Sequence, residues 1–501
     1  MWQVSMRNMK IGKLTGFAGL AIACLLPMLA AISCGNGDGG KIPITTKSEK
    51  ARELYIKARD LAENLRINDA IDVYERAIDE DGNFALAHLG LSFALFNNNA
   101  TRGFEVFNRA VALAGNVSEG ERLWIKGTEA GVNGNPREQE AMFKKLVKLH
   151  HSDERAHNIM GGFYYQQQRY DLAVTEFRKA KEINPEFAPL YNMLGYSYRF
   201  LGKYKAAEEA FKTYIKLIPD NPNPYDSYAE LLMKIGEFEE SIEMYRRALH
   251  VDSTFGASRF GIASDLVFLS EHAEARKVLE DWIARSDDDG DHRLALLGIT
   301  MSYVEEGRLQ EAIETSRRQL QIARDTENNV GMGNDLAQIG SIYLEMGRVD
   351  DAAESYRVSL DAYEEAEGVG EAVKENARTG YLYFKARVDI ARGDLDRARE
   401  AAELYRERTR ENQNPAQERI YHELLGTIAL SEGEFEVAAK ELEQANRQDP
   451  YNLYRSMLAY EGMGDEERAQ ELCEQVANFN QLLTLNFAFV RQKARQRLAT
   501  I

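Results

Sequence analysis

The chain has 501 residues, 80 of them acidic against 62 basic, and a formal net charge of −18. That balance excludes nucleic-acid binding as the main role, which needs a basic face. Ten prolines, few β-branched runs and abundant Ala, Leu, Glu and Arg exclude a sheet-built protein and point to an all-helical one.

Residues 1–33 read as an export leader. Arg7, Lys10 and Lys13 make a positive start, and "LTGFAGLAIACLLPMLAAI" (14–32) is apolar and free of acids. Pro27 and the small residues near its end disfavour a permanent membrane span, for which about twenty apolar residues are wanted. The run closes on Ala31-Ile32-Ser33-Cys34, which resembles a bacterial lipobox with Ala31 in the usual place of Leu. The resemblance implies that Cys34 is lipidated and becomes the first mature residue. It also implies a place in the bacterial cell envelope with the repeats facing the periplasm, and Gly35 in place of Asp resembles outer-membrane sorting. Residues 34–47 then read as a flexible tether: "GNGDGGKIPITTK" (35–47) is glycine-rich, with a reach of roughly 20 Å. Cys24 leaves with the leader, so Cys473 is the one other mature cysteine; it reads as a buried structural thiol and no internal disulfide is expected.

Repeats begin near Ser48. Ala58, Ala70, Tyr74 and Ala77 set a small, small, aromatic, small pattern, and Gly90, Gly103, Phe107 and Ala110 repeat it with one extra residue in the turn. From Gly127 to Trp282 the period is strict. Gly127, Gly161, Gly195, Ala229 and Ala263 are 34 residues apart, as are Phe143, Phe177, Phe211, Tyr245 and Leu279. Ala173, Ala207, Ser241 and Ala275 keep the same step, and Pro185 and Pro219 close two of the periods. Such a period signals stacked supersecondary units. Within each, apolar residues three or four apart on either side of a polar turn predict two helices. The small residues mark where the two helices cross, and the aromatic fills the space toward the next pair. Each proline stops the second helix.

Gly161, Ala173, Phe177, Ala180 and Pro185, followed by Gly195, Ala207, Phe211, Tyr214 and Pro219, make this pattern similar to the tetratricopeptide repeat. The departure is Tyr214, where the family has Ala. The fold class so implied is an all-α helix-turn-helix solenoid. Longer units follow: Gly307, Gly347, Gly393, Gly433 and Gly464 read as turn glycines, each followed five residues on by alanine (Ala312, Ala352, Ala398, Ala438, Ala469). About twelve units are expected. The expected domains are an N-terminal array of 34-residue units (48–286), a C-terminal array of longer units (287–484) and a capping helix (485–501). "RSDDDGDHR" (285–293) marks the division.

Chemistry is sparse. Asp287, Asp289 and Asp291 do not fit the EF-hand loop, because Gly290 comes too early and Gly298 stands where its Glu belongs. "HELLG" (422–426) lacks the second zinc-binding histidine, and "GYSYR" (195–199) lacks the second glycine of a nucleophile elbow. His150, His151 and His157 fall at a unit boundary and read as packing or surface residues. No catalytic, metal or cofactor site is expected, and the chain reads as a non-enzyme. The resemblance implies instead a groove lined by the first helices, at positions 2, 5, 9, 12 and 13 of each unit. Those positions include Asn158, Tyr165, Asn192, Tyr196, Arg199 and Asp226. Amides can hold a peptide backbone, and tyrosines offer apolar area with a polar tip. The expected function is a membrane-anchored scaffold that binds a peptide or partner helix, as part of an envelope assembly or as an accessory regulator of a separate envelope enzyme. The partners are then one or more proteins, and the membrane through Cys34.

Overall fold

The computed structural model describes residues 40–499 apart from 65, 96–99, 367–370 and 411–413. Cys34, the leader and the start of the tether lie outside the described residues. Among those described there are twenty-five α-helices and no strand. Six pairs make the first half: α1 (Glu49–Glu63) and α2 (Ile67–Glu80), α3 (Ala85–Leu95) and α4 (Ala100–Leu113), α5 (Glu119–Val132) and α6 (Pro136–Leu149), α7 (Glu154–Gln166) and α8 (Tyr170–Ile183), α9 (Ala188–Phe200) and α10 (Tyr204–Leu217), α11 (Asn223–Ile235) and α12 (Phe238–Val251). A seventh regular pair is α13 (Gly256–Phe268) and α14 (His272–Ile283). Longer helices follow: α15 (Asp289–Glu305), α16 (Leu309–Asp325), α17 (Asn329–Glu345), α18 (Val349–Glu364), α19 (Glu371–Arg392), α20 (Leu395–Arg410) and α21 (Pro415–Glu432). The chain ends on α22 (Phe435–Gln444), α23 (Pro450–Gly462), α24 (Glu466–Ala477) and α25 (Leu485–Leu498). No described helix is long and apolar enough to cross a membrane.

The chain forms two compact units. Among the described residues, one holds those of 40–161, 179–185 and 371–372; the other holds those of 162–178, 186–366 and 373–499. The main seam therefore falls near 161, not at 285–293. The acid-rich stretch has a local task instead: Asp288 caps α15 by accepting from the Asp291 amide (2.9 Å), and Asp291 accepts from Trp282 Nε1 and Ser286.

The repeat residues pack as their types require. A Cβ added at Gly195 would lie 2.5 Å from the Phe211 ring, and one at Gly127 would lie 2.4 Å from Phe143. Only glycine lets the second helix come so close. Tyr245 and Tyr74 press in the same way on Gly261 and Gly90 of the following pairs. Ala173, Ala207 and Ala275 are fully buried, as are Phe177 and Phe211. Ser241, at the matching place, donates to the Ala229 carbonyl (2.8 Å). In the longer units the reversal between helices takes one residue in the left-handed region, and the turn glycines supply it, from φ +73° at Gly347 to +78° at Gly393. In the regular block that place recurs at Gly134, Gln168, Gly202, Gly236 and Ser270, where Gln168 and Ser270 adopt φ of 60° and 65° without glycine's freedom.

Residues 40–47 correct the tether reading, because they are docked along the first unit. The Ile42 amide donates to Asp153 Oδ2 (2.6 Å), and the Thr45 amide donates to Glu121 Oε1 (2.8 Å). Thr46 Oγ1 donates to Asp81 (2.6 Å), Lys41 pairs with Glu154, and His150 Nδ1 meets the Gly40 carbonyl (2.9 Å). His150 thus serves this strap and His157 meets the His151 carbonyl, so the histidines do not converge.

The last helix packs on α24, as a cap should, and also on α15 and α23. Its "RQKARQR" end does more than oppose the helix dipole. Arg491 is wholly buried, pairs with the equally buried Glu305 and donates to the Phe268 carbonyl (3.2 Å). Phe487 meets Phe268 edge-on at 5.7 Å, and Lys493 reaches Glu345 at 2.8 Å. Cys473 is buried, with its Sγ donating to the Ala494 carbonyl at 3.3 Å.

Candidate peptide-binding groove

In the second unit the first helices α9, α11 and α13 bring Tyr196, Glu230 and Ser264 to one repeat position, thirty-four residues apart. The Tyr196 hydroxyl donates to Glu230 Oε1 (3.1 Å) and Ser227 Oγ (3.3 Å), and its ring stands edge-on to Phe211 at 5.3 Å. One turn on, Arg199 donates from Nη1 to Glu230 Oε2 (2.9 Å) and to the Glu230 carbonyl (3.3 Å). Its guanidinium lies 5.0 Å from the Tyr196 ring centroid and 5.3 Å from that of Phe200. Tyr165 at the end of α7 stands edge-on to Tyr170 (5.5 Å) and Phe200 (5.9 Å). Burial raises the Tyr165 and Tyr196 phenols, so both stay neutral and able to donate.

Asp226 is buried and accepts from Ser258 Oγ at 2.6 Å. Burial, and then the Glu230 charge, push its carboxyl up to about 7. The Oδ1 atoms of Asn192, and of Asn158 in the other unit, are buried with no hydrogen-bond partner among the described residues. The structure therefore joins Tyr165, Tyr196 and Arg199 in one cluster, with Asp226 near its Glu230 side.

Two members of this face went unnamed in the sequence reading. Glu230 stands at position 9 and Lys234 at position 13, so the register that selects Tyr196 also selects them. Lys234 Nζ donates to the Phe479 carbonyl and sits 4.2 Å over the Phe479 ring. Burial, and then Arg199, push its ammonium down to about 8. Farther along, the Leu483 amide donates to Ser264 Oγ (3.4 Å). The connection from α24 to α25 thus lies against α11 and α13, its backbone held by two groove-position side chains.

Next to Ser264, Asp265 is fully buried, and among the described residues the Ser241 hydroxyl, itself turned to the Ala229 carbonyl, is the polar group beside its carboxylate. Burial pushes its carboxyl up to about 8, well above an ordinary value near ~4. A raised folded pKa favours the fold below the ordinary value, and that contribution is lost as pH rises through the folded one. Wild type should therefore lose stability between about pH 5 and 9, and Asp265→Asn should lose less. Denaturant midpoints at the two pH values check this; parallel losses in both proteins would contradict it.

Tetratricopeptide repeat profiles match residues 126–186, 188–221, 223–255, 290–365 and 383–452, together more than half of the chain. A 213-residue stretch is 22% identical to anaphase-promoting complex subunit 3 of Schizosaccharomyces pombe, covering 40% of this chain and 31% of that protein. Over 100 residues the chain is 30% identical to human protein O-mannosyl-transferase TMTC2, covering 19% of this chain and 12% of that protein. It thus spans less than a third of either relative's length. A solved tetratricopeptide repeat protein from Parabacteroides merdae ATCC 43184 aligns over 50% of this chain and 100% of its own, at 14% identity and a TM-score of 0.34. With a 34-residue period, paired helices in that register and the profile matches on the same residues, the chain belongs to the tetratricopeptide repeat family.

Proposed function

We propose that this protein is a non-enzymatic scaffold that binds an extended peptide or a partner helix on the face formed by α9 and α11. One observation carries the reading. The chain lays its own segment, Phe479 to Leu483, on the neighbouring part of that face, where Lys234 takes a carbonyl and Ser264 takes an amide. A surface that holds one extended backbone by groove-position side chains is suited to hold another beside it. Tyr196 and Arg199 lie on the preceding first helix, α9, and aromatic and arginine side chains dominate interface energetics. The test compares wild type and Tyr196→Ala for capture of the partner that the wild type retrieves from a membrane extract. Binding should weaken by about 2 kcal/mol, roughly thirty-fold, with helicity by circular dichroism unchanged. A folded variant that captures the partner as well as wild type sinks this placement.

The scaffold is further proposed to be anchored in the cell envelope by lipid on Cys34, as a component of an envelope assembly. The lipobox-like "AISC" (31–34) supports this. Cys34→Ala should move the protein out of the membrane fraction. Persistence in the pellet after a salt wash would overturn the lipid anchor.

A further inference from the structure

A separate set of groove-register side chains lies on α19, α21 and α23, also in the second unit. Arg387 stands six residues before the turn glycine Gly393, as Tyr196 stands before Gly202. Tyr383 and Glu423 stand ten residues before their turn glycines, as Asn192 does before Gly202. The carboxylates around Arg387 are already filled. Glu423 Oε1 accepts from the Tyr383 hydroxyl (2.7 Å) and from Arg455 Nη1 (3.1 Å), while its Oε2 accepts from Asn452 Nδ2 (3.1 Å). Glu345 accepts from the Tyr451 hydroxyl and from Lys493 Nζ. Asp389 holds Lys385 at 2.9 Å, and Asp449 holds the Tyr451 amide and Asn486.

Arg387 is left over. Its guanidinium lies 5.5 Å from the Tyr383 ring centroid and makes no hydrogen bond or ion pair with any described residue. It is half-buried, with the Glu423 carboxylate and, more weakly, the Arg455 guanidinium within electrostatic reach. Five N–H donors in a planar fork, set among tyrosine rings beside a second guanidinium, form a seat for a planar oxyanion. An anion there would take up the donors that Glu423, already filled by Tyr383, Arg455 and Asn452, leaves unused.

We propose that Arg387 is the anchor of a second partner-binding site, which takes an acidic side chain, Asp or Glu, of a peptide laid along α19, α21 and α23. Tyr383 and Tyr451 flank the seat with apolar area. The site is independent of the one proposed on α9 and α11, since it uses none of those residues.

The experiment pans a random-peptide display library on the full-length protein, then synthesises the strongest binder and a form with its shared acid changed to the amide. The expected result is a set of binders with one Asp or Glu in common. The acid-to-amide change should weaken binding to wild type at least ten-fold. Arg387→Gln should weaken the parent peptide to the same degree, with no further loss for the amide peptide on that variant. Arg387→Lys should recover only part of the affinity, because it keeps the charge and lacks the fork. The peptide-side change needs no protein variant, so the proposal stays open to refutation even if Arg387→Gln folds poorly. Failure to enrich binders overturns the proposal, as does enrichment without a shared acid or acid-dependent binding that ignores Arg387. Binding lost in Tyr196→Ala but kept in Arg387→Gln assigns the peptide to α9 and α11 and also overturns it. Displacement by inorganic phosphate at the peptide's own concentration would reveal a small-anion site, and the peptide reading would fall.

Discussion

Arg491→Leu should lower the unfolding free energy of the second unit by about 3–5 kcal/mol, because it leaves the Glu305 carboxylate buried with no counter-charge. Both side chains are inaccessible to water. Glu305 Oε1 also accepts from Gln492 Nε2 at 3.1 Å, a bond too weak to hold a buried charge alone. The pair is imperfectly satisfied even in the native protein: Glu305 Oε2 and Arg491 Nε have no partner. The double variant Glu305→Leu/Arg491→Leu should therefore recover most of the loss, since an apolar pair of similar volume removes both desolvation terms. The pH dependence adds a sign. Burial raises the Glu305 carboxyl even beside Arg491, and removing the cation raises it further. A raised folded pKa contributes stability in full below the ordinary carboxylate value and loses it as pH rises through the folded one. The single variant's deficit should thus be larger at pH 8 than at pH 5. Urea titrations of the three proteins at both pH values decide the matter. A single variant as stable as wild type would mean that water reaches this pair.

Gly195→Leu should cost about 3 kcal/mol through overpacking. The first carbon of any side chain at 195 would sit 2.5 Å from Phe211, a ring with no exposure and no free direction to move. Gly162 on α7 is the matched control: it is also helical, but nothing lies within 4 Å of a Cβ placed there. Gly162→Ala should be neutral or stabilising by up to about 1 kcal/mol, the difference in helix propensity. Equal effects at the two positions would contradict the assigned repeat register.

That register was legible because it is periodic. Gly195 and Phe211, sixteen residues apart, meet as their sizes require, and Gly307, Gly347, Gly393, Gly433 and Gly464 all take the left-handed conformation that a reversal between helices demands. Gln168 and Ser270 occupy the same place without declaring it, since tertiary packing can hold a non-glycine residue there at a modest cost. Contacts between residues far apart in sequence were hidden. Residues 40–47 have the composition of a linker, and their order comes from Glu121 and Asp153, which no local pattern connects to them. Glu230 and Lys234 were within reach, because stepping thirty-four residues from Tyr196 lands on Glu230 and Lys234 follows one turn later. What could not be stepped to was Phe479, whose contact with Lys234 obeys no repeat.

The lodging of α25 and its preceding segment against α13 and α15 alters how the array can come apart. An ideal repeat array behaves as a one-dimensional chain in which each unit feels only its neighbours, so ends fray without consequence for the middle. Here Arg491 closes on Glu305 and Leu483 on Ser264, so α25 and the segment before it complete helices that lie 186 and 219 residues away in sequence. Without α25 and that segment, α13 and α15 would present an unfinished apolar face. A substitution that unseats α25 would therefore be felt in α13 and α15, far from it in sequence.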